Sequence, residues 1–183
     1  MRTWETIPLT ASQRLALHVL QEHGIKKASD PGDAFHYIAF DPGRVTGWAA
    51  FRSNGEPFEM GHIPDWGPGI AKFIKGLHFA EDAVPFPKVI IYETFQVRGR
   101  GQQTDDNMVR TMAAVKVIKN WAAAIGAELV AQQAAILPIA VKFSGMEMPR
   151  DHSKSHQISA FNHGWYKLTQ SGIVIPRIKW PEG

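Results

Sequence analysis

Apolar residues gather along this chain in short runs closed off by proline, glycine and polar residues. Stretches of helical periodicity lie between them. Phe35-His36-Tyr37-Ile38-Ala39-Phe40 is rich in aromatic and β-branched side chains and predicts a buried strand. After the turn residues Pro42 and Gly43, Trp48-Ala49-Ala50-Phe51 predicts its antiparallel partner. Ser53-Asn54-Gly55-Glu56 is a hairpin turn leading into a third strand over Phe58–Ile63, so three antiparallel strands open a sheet. A helix is expected over Gly69–Leu77. A strand follows over Lys88–Phe95, punctuated by Pro85, Pro87, Gly99 and Gly101. Asn107–Ile125 reads as a long helix with Met108, Met112, Val115, Ile118, Ala122 and Ile125 as its apolar set. Ala127–Val130 is a fifth strand, Ile139–Phe143 a short helix before Gly145, and His156–Leu168 the last long helix. Strands and helices in this succession predict an α/β fold with a mixed five-stranded sheet flanked by helices. Trp121, Trp165, Tyr166 and Met112 fall at helical positions and are expected in the core or at a subunit interface rather than as base-stacking platforms.

Ahead of the first strand, Thr10-Ala11-Ser12-Gln13 has the pattern of a capping box. Arg14–His23 then predicts a short amphipathic helix stopped by Gly24. Residues 26–33 read as a linker. The expected organisation is a helical extension with linker over 1–34, one domain over 35–175 and a tail over 176–183. No internal repeat is visible.

Two of the strands end in an acid. Asp41 closes the first apolar run and Glu93 lies at the far end of Val89-Ile90-Ile91-Tyr92. In open α/β sheets, ligands bind beyond the carboxyl ends of strands, and a carboxylate held there can offer oxygen to a hard cation. Asp41 as a plain turn cap and Glu93 as a solvated strand-end charge are the competing readings.

Composition narrows the choices. With 183 residues and 44% hydrophobic content, the chain can bury one sizeable core, and no unbroken apolar stretch is long enough to cross a membrane. The absence of cysteine excludes disulfides and thiolate metal sites and fits a reducing cytoplasm, and no secretory signal is expected at the start. Lys and Arg (20) barely outnumber Asp and Glu (17), so global charge does not point to nucleic acid. A local feature does. Gln96-Val97-Arg98-Gly99-Arg100-Gly101-Gln102-Gln103-Thr104 carries two guanidiniums among amides and glycines, with no acid. That mixture suits contact with a phosphate backbone, and Lys142, Arg150 and Lys154 are placed to extend the surface. A solvated loop is the alternative.

Ile38-Ala39-Phe40-Asp41-Pro42-Gly43, Thr46-Gly47-Trp48-Ala49 and Val89-Ile90-Ile91-Tyr92-Glu93-Thr94-Phe95 resemble the first two acidic motifs of RuvC-type Holliday-junction resolvases, in particular the phage-encoded branch. The resemblance spans roughly residues 35–172. It implies a ribonuclease-H-like fold, a homodimer, dependence on a divalent metal, cleavage of branched DNA such as a four-way junction, and a cytoplasmic setting in a bacterial host. The family closes its site with a helix carrying two acids three residues apart, or a His and an acid, followed by Ala. Here His156 falls at the first of those positions, and Ser159-Ala160 stands where Asp-Ala is expected. The resemblance therefore implies Asp41, Glu93 and His156 as catalytic metal ligands, with Ser159 at a fourth ligand position. Phosphodiester hydrolysis would use two ions, with Asp41 shared between them. Mg²⁺ is the default ion, and the imidazole makes Mn²⁺ equally suitable. Because a hydroxyl ligates a hard cation more weakly than a carboxylate, Asp151, His152 and His163 are candidate substitutes for the missing acid. Two rival functions follow. One is a branched-DNA-binding relative with a decayed site. The other is an ATPase of the actin and sugar-kinase type, which shares a glycine hairpin with an acid but needs a second phosphate-binding hairpin that this chain lacks.

Overall fold

The computed structural model describes residues 35–64, 67–79, 86–94, 106–149 and 152–176, leaving aside the side chains of 77–79 and 152–154. The helix expected at 14–23 and the basic stretch 96–104 lie outside these residues. In chain order the elements are β1 (Phe35–Asp41), β2 (Thr46–Arg52), β3 (Pro57–Ile63), α1 (Gly67–Phe79), β4 (Val89–Thr94), α2 (Asp106–Ile125), β5 (Glu128–Gln133), α3 (Leu137–Ser144) and α4 (His152–Gln170). The strands form one five-stranded sheet in the order β3-β2-β1-β4-β5. The first three strands are joined antiparallel, whereas β4 runs parallel to both β1 and β5. The fold is the expected α/β class, a ribonuclease-H-like mixed sheet flanked by helices.

Alternation along the strands builds two cores. Ile38, Phe40, Trp48, Ala50, Ile90 and Tyr92 face one way and pack with Ile70 and Phe73 of α1 and with Ala114, Ile118 and Trp121 of α2. Their neighbours Tyr37, Ala39, Ala49, Phe51, Val89 and Ile91 face the other way, against Ala160, Phe161, Trp165 and Leu168 of α4. Both faces of β1 and β4 are covered, which is why their sequences are nearly continuous apolar runs. Each fully buried large side chain, such as Trp48, Phe40 or Ile91, contributes about 1.5–3 kcal/mol of burial free energy.

Two elements depart from expectation. Of the apolar set foreseen for α2, Ile118 and Ala122 are buried and Val115 and Ile125 pack against the core, but Met112 is 58% exposed, and Thr111, Ala114 and Trp121 are buried as well. Apolar residues lie on more than one side of this helix, so packing against the sheet and α1, rather than hydrophobicity, selects its phase. Strand β5 does not stop at Val130 but continues to Gln133, because its ladder with β4 runs on from Val130 beside Ile91 to Gln133 beside Thr94. Trp121 and Trp165 are core residues as foreseen, and Tyr166 is half-buried with its ring 5.5 Å from that of Phe143.

Helix α4 crosses the sheet at close range over glycine. A Cβ on Gly47 would lie 2.0 Å from the backbone carbonyl carbon of His156, and one on Gly164 would lie 2.3 Å from the Phe51 ring. The middle of α4 is also tied to the C-terminal end of α3 and the residues after it. The buried Ser144 hydroxyl bonds the Asn162 side chain, and Asn162 Nδ2 donates to the Met146 carbonyl at 3.1 Å.

Candidate active site

Strand register and helical spacing converge at one end of the sheet. Phe40 pairs with Tyr92 across β1 and β4, so the next residues, Asp41 and Glu93, stand side by side, and Glu93 in turn pairs with Gln132 of β5. All three lie at the carboxyl ends of parallel neighbours. By the two-residue period they share the α4 face with Ala39, Ile91 and Val130. From the helix come His156, Ser159 and His163, separated by three and four residues and therefore on one side of α4.

The two sets meet in pairs. His156 Nδ1 is 2.9 Å from Asp41 Oδ2. His163 Nε2 is 2.9 Å from Glu93 Oε2, and its Nδ1 is 2.7 Å from Gln132 Oε1. Ser159 Oγ donates to the same Glu93 Oε2 at 3.4 Å, a long and weak bond. Exposure grades inward: the His156 side chain is 35% exposed, Glu93 20%, Asp41 14% and His163 0%. Solvent and small ions can therefore reach the two acids and His156, but not His163.

Burial raises the Asp41 carboxyl above its ordinary range. The hydrogen bond from His156 opposes that shift and the neighbouring Glu93 charge adds to it. The Asp41 hydrogen bond raises His156, against partial burial, with the nearby acids reinforcing the rise. These are the marks of two carboxylates brought together in a half-dry setting, where a cation between them would relieve their repulsion.

Of the residues singled out in the sequence, Asp41, Glu93, His156 and Ser159 are brought together, and His163 joins them from below. Lys142 is exposed in the last turn of α3. Arg98, Arg100, Arg150 and Asp151 lie outside the described residues, and Lys154 and His152 lie in the first turn of α4 with undescribed side chains. Gln132 is the site residue that the sequence reading missed. Its signal was the polar pair Gln132-Gln133 directly after an apolar strand, at the same kind of strand end that carries Asp41 and Glu93.

Among the described residues, no group of three or more His, Asp or Glu side chains is gathered tightly enough to hold a metal ion as it stands. The donors stand instead as the pairs Asp41–His156 and Glu93–His163. Their chemistry nevertheless fits a divalent cation: adjacent hard carboxylates, solvent-accessible and mutually repelling, with one accessible imidazole.

The fold is a ribonuclease-H-like sheet with acids at the ends of its two central parallel strands and a closing helix across them. No protein-family model and no curated protein matches the sequence. Twelve chains of solved structures match the fold. One is Thermus thermophilus RuvC in complex with a Holliday-junction substrate, at 15% identity and a TM-score of 0.52, covering 76% of this chain and 98% of that one. Another Thermus thermophilus RuvC structure covers the same shares at 13% identity and a TM-score of 0.46. The fold is thus RuvC-like.

The close seat of α4 yields an expected result. Gly47→Ala should cost about 1–3 kcal/mol or more of stability, because the new Cβ meets helix backbone that cannot rotate away. It should also displace His156 from Asp41. Thermal denaturation checks the first effect, and histidine NMR shifts at neutral pH check the second. A variant with an unchanged melting point would mean that α4 does not approach β2 this closely.

Proposed function

We propose that this chain is a structure-selective endonuclease of the RuvC type, of the phage-encoded branch, cutting four-way junctions and related branched DNA as a homodimer. The observation that carries the proposal is the pairing of Asp41 and Glu93 on adjacent strands with His156 of α4 bonded to Asp41. The fold shared with a RuvC bound to a Holliday junction supports it. Residues 35–175 would be the nuclease domain, preceded by an extension over 1–34 and followed by a tail over 176–183. Among the described residues no helix is long and apolar enough to cross a membrane, and the proposed setting is the cytoplasm of a bacterial host.

Asp41, Glu93 and His156 would hold Mg²⁺ or Mn²⁺. When bound, the cation would supply Lewis-acid activation of the scissile phosphodiester and of the attacking water. The protein's own part is to fix both carboxylates on rigid strands, to hold His156 beside them, and to keep the floor of the site dry with His163 and Ser159, which are 0% and 2% exposed. A homodimer would place two such sites on the two strands of a symmetric junction. The direct test is incubation of a synthetic four-way junction with the protein and Mg²⁺ or Mn²⁺, beside a linear duplex of the same sequence. Symmetric cuts in the junction alone support the reading. Junction binding without cuts in either metal would favour the second reading, a non-cleaving junction binder, for which Ser159 in place of the family's acid is the specific sign.

For the DNA surface we propose Arg98 and Arg100, with Lys142 and Lys154. Replacing both arginines by Ala should weaken junction affinity and lower the magnitude of the salt slope by about one for each phosphate no longer neutralised. Titrations at several salt concentrations measure this, and an unchanged slope would remove the loop from the interface.

A further inference from the structure

Glu93 is supported from inside the protein by an arrangement that the acids of the site do not require. Its partner His163 is completely buried, and behind His163 stands Gln132, itself only 7% exposed, on the strand that pairs with Glu93. The Gln132 backbone is held as well, since its carbonyl accepts from Thr94 Oγ1 at 3.1 Å. The imidazole is therefore clamped between an amide at 2.7 Å and a carboxylate at 2.9 Å.

Hydrogen-bond counting decides how the clamp is wired. With Gln132 Oε1 toward the ring, Nδ1 must be the donor, and a ring with one hydrogen then turns a bare Nε2 lone pair on the Glu93 carboxylate; only a doubly protonated ring would donate to both. In that orientation Gln132 Nε2 is also buried with no partner. The oxygen and nitrogen of an amide are exchangeable in such an assignment. Turning the amide over removes the first fault and replaces the unpartnered N–H of the second by a carbonyl oxygen, the less uncommon group to be left without a bond: Nε2 of Gln132 donates to Nδ1 of His163, and the ring carries its hydrogen on Nε2, aimed at Glu93. Ser159 then adds a second, weaker donor to the same oxygen. Both donors fall on Oε2, which leaves Oε1 of Glu93 as the oxygen free of these bonds.

We propose that Gln132 and His163 are positioning residues for Glu93: the amide fixes the ring tautomer, and the ring N–H, with Ser159 beside it, holds Oε2 so that Oε1 faces the catalytic side. The inference rests on the reading of Glu93 as a metal-binding acid. It also accounts for Ser159: a second acid there would be buried against Glu93 Oε2, whereas a hydroxyl can donate to it. Partners that orient a ligating group in this way affect metal affinity or activity by about 10–100-fold.

The test has two arms. Nitrogen-15 NMR of histidine-labelled protein without metal reads the ring directly. His163 should carry hydrogen on Nε2 and accept at Nδ1, and Gln132→Glu, which can only accept there, should move hydrogen to Nδ1. A wild-type ring with hydrogen on Nδ1, whether Nε2 is bare or also protonated, overturns the inference whether or not the protein is a nuclease. In the second arm, His163→Leu should weaken Mn²⁺ binding and junction cleavage about 10–100-fold with junction affinity unchanged. His163→Gln, which can return an N–H near Nε2, should stay within about threefold of wild type. If His163→Leu does not fold, Gln132→Met takes its place with the same expected loss. Folded apolar variants with full Mn²⁺ affinity would overturn the positioning role. Absence of cleavage by wild type in every metal would instead sink the nuclease reading, leaving the NMR and Mn²⁺ results to decide this one.

Discussion

Asp41→Asn and Glu93→Gln should each reduce cleavage of a four-way junction by about a thousandfold or more while leaving junction binding intact or tighter. Each change keeps the side-chain shape and removes one hard anionic donor. Losing about 4 kcal/mol of transition-state stabilisation corresponds to about three powers of ten in rate. Binding should separate from chemistry because a neutral amide no longer repels the phosphate backbone. The folded state should not suffer from the change at Asp41. Its carboxyl is raised above the ordinary value, chiefly by burial. Whatever that group contributes to stability is thus present below its unfolded pKa and lost as pH rises through the folded one. Asn cannot ionise and so removes that loss, and at pH values above this window the melting temperature without metal should be equal to or above that of wild type. Single-turnover cleavage, junction titration and thermal melts separate these effects. Near-normal cutting by either variant would remove that acid from the site.

His156→Ala should lose activity as severely as the acid variants, whereas Ser159→Ala should change it little. His156 is the accessible imidazole beside Asp41, and the Ser159 hydroxyl reaches Glu93 only at 3.4 Å. Activity should also fall with acid, in a window the structure specifies. The Asp41 hydrogen bond raises the His156 pKa above 6.5, so the ring sheds its proton only at higher pH, and a protonated ring cannot ligate. With metal well below saturation, where proton and metal compete for the free ring, the rising limb of the pH–rate profile should therefore lie above pH 6.5, the ordinary histidine value. Stability without metal should run the opposite way. A raised histidine contributes fully below its unfolded pKa, and that contribution disappears as pH rises through the folded value. Wild type should thus lose thermal stability over the same window in which it gains activity, and His156→Ala should flatten that change. Full activity in His156→Ala would leave His152 or Asp151 as the third protein ligand.

Most of the architecture could be read along the chain, and the reason is local. Strands β1, β2 and β4 are short, dense runs of β-branched and aromatic residues with turn residues at their ends, so periodicity and punctuation agree. Asp41 and Glu93 were legible as a pair for the same reason, since each directly follows a run that must be buried. His156 was legible only through a family pattern on α4, because a histidine in a helix has no distinctive local signal. What escaped was decided between elements that are far apart in sequence. Which residues of α2 are covered depends on what the sheet and α1 present to it, and Met112 lies exposed although its helical position grouped it with the core residues Ile118 and Ala122 or with a subunit interface. The end of β5 depends on the ladder with β4, which carries the strand past its last apolar residue and places Gln132 beside Glu93. His163 could be put on the right helical face from spacing alone. Its complete burial between Glu93 and Gln132 follows from the height of α4 above the sheet, set by Gly47 and Gly164, where any side chain would push the helix away. Periodicity and turn chemistry therefore specify the strands and their acids, while register and the close seat of one helix decide which polar groups meet them.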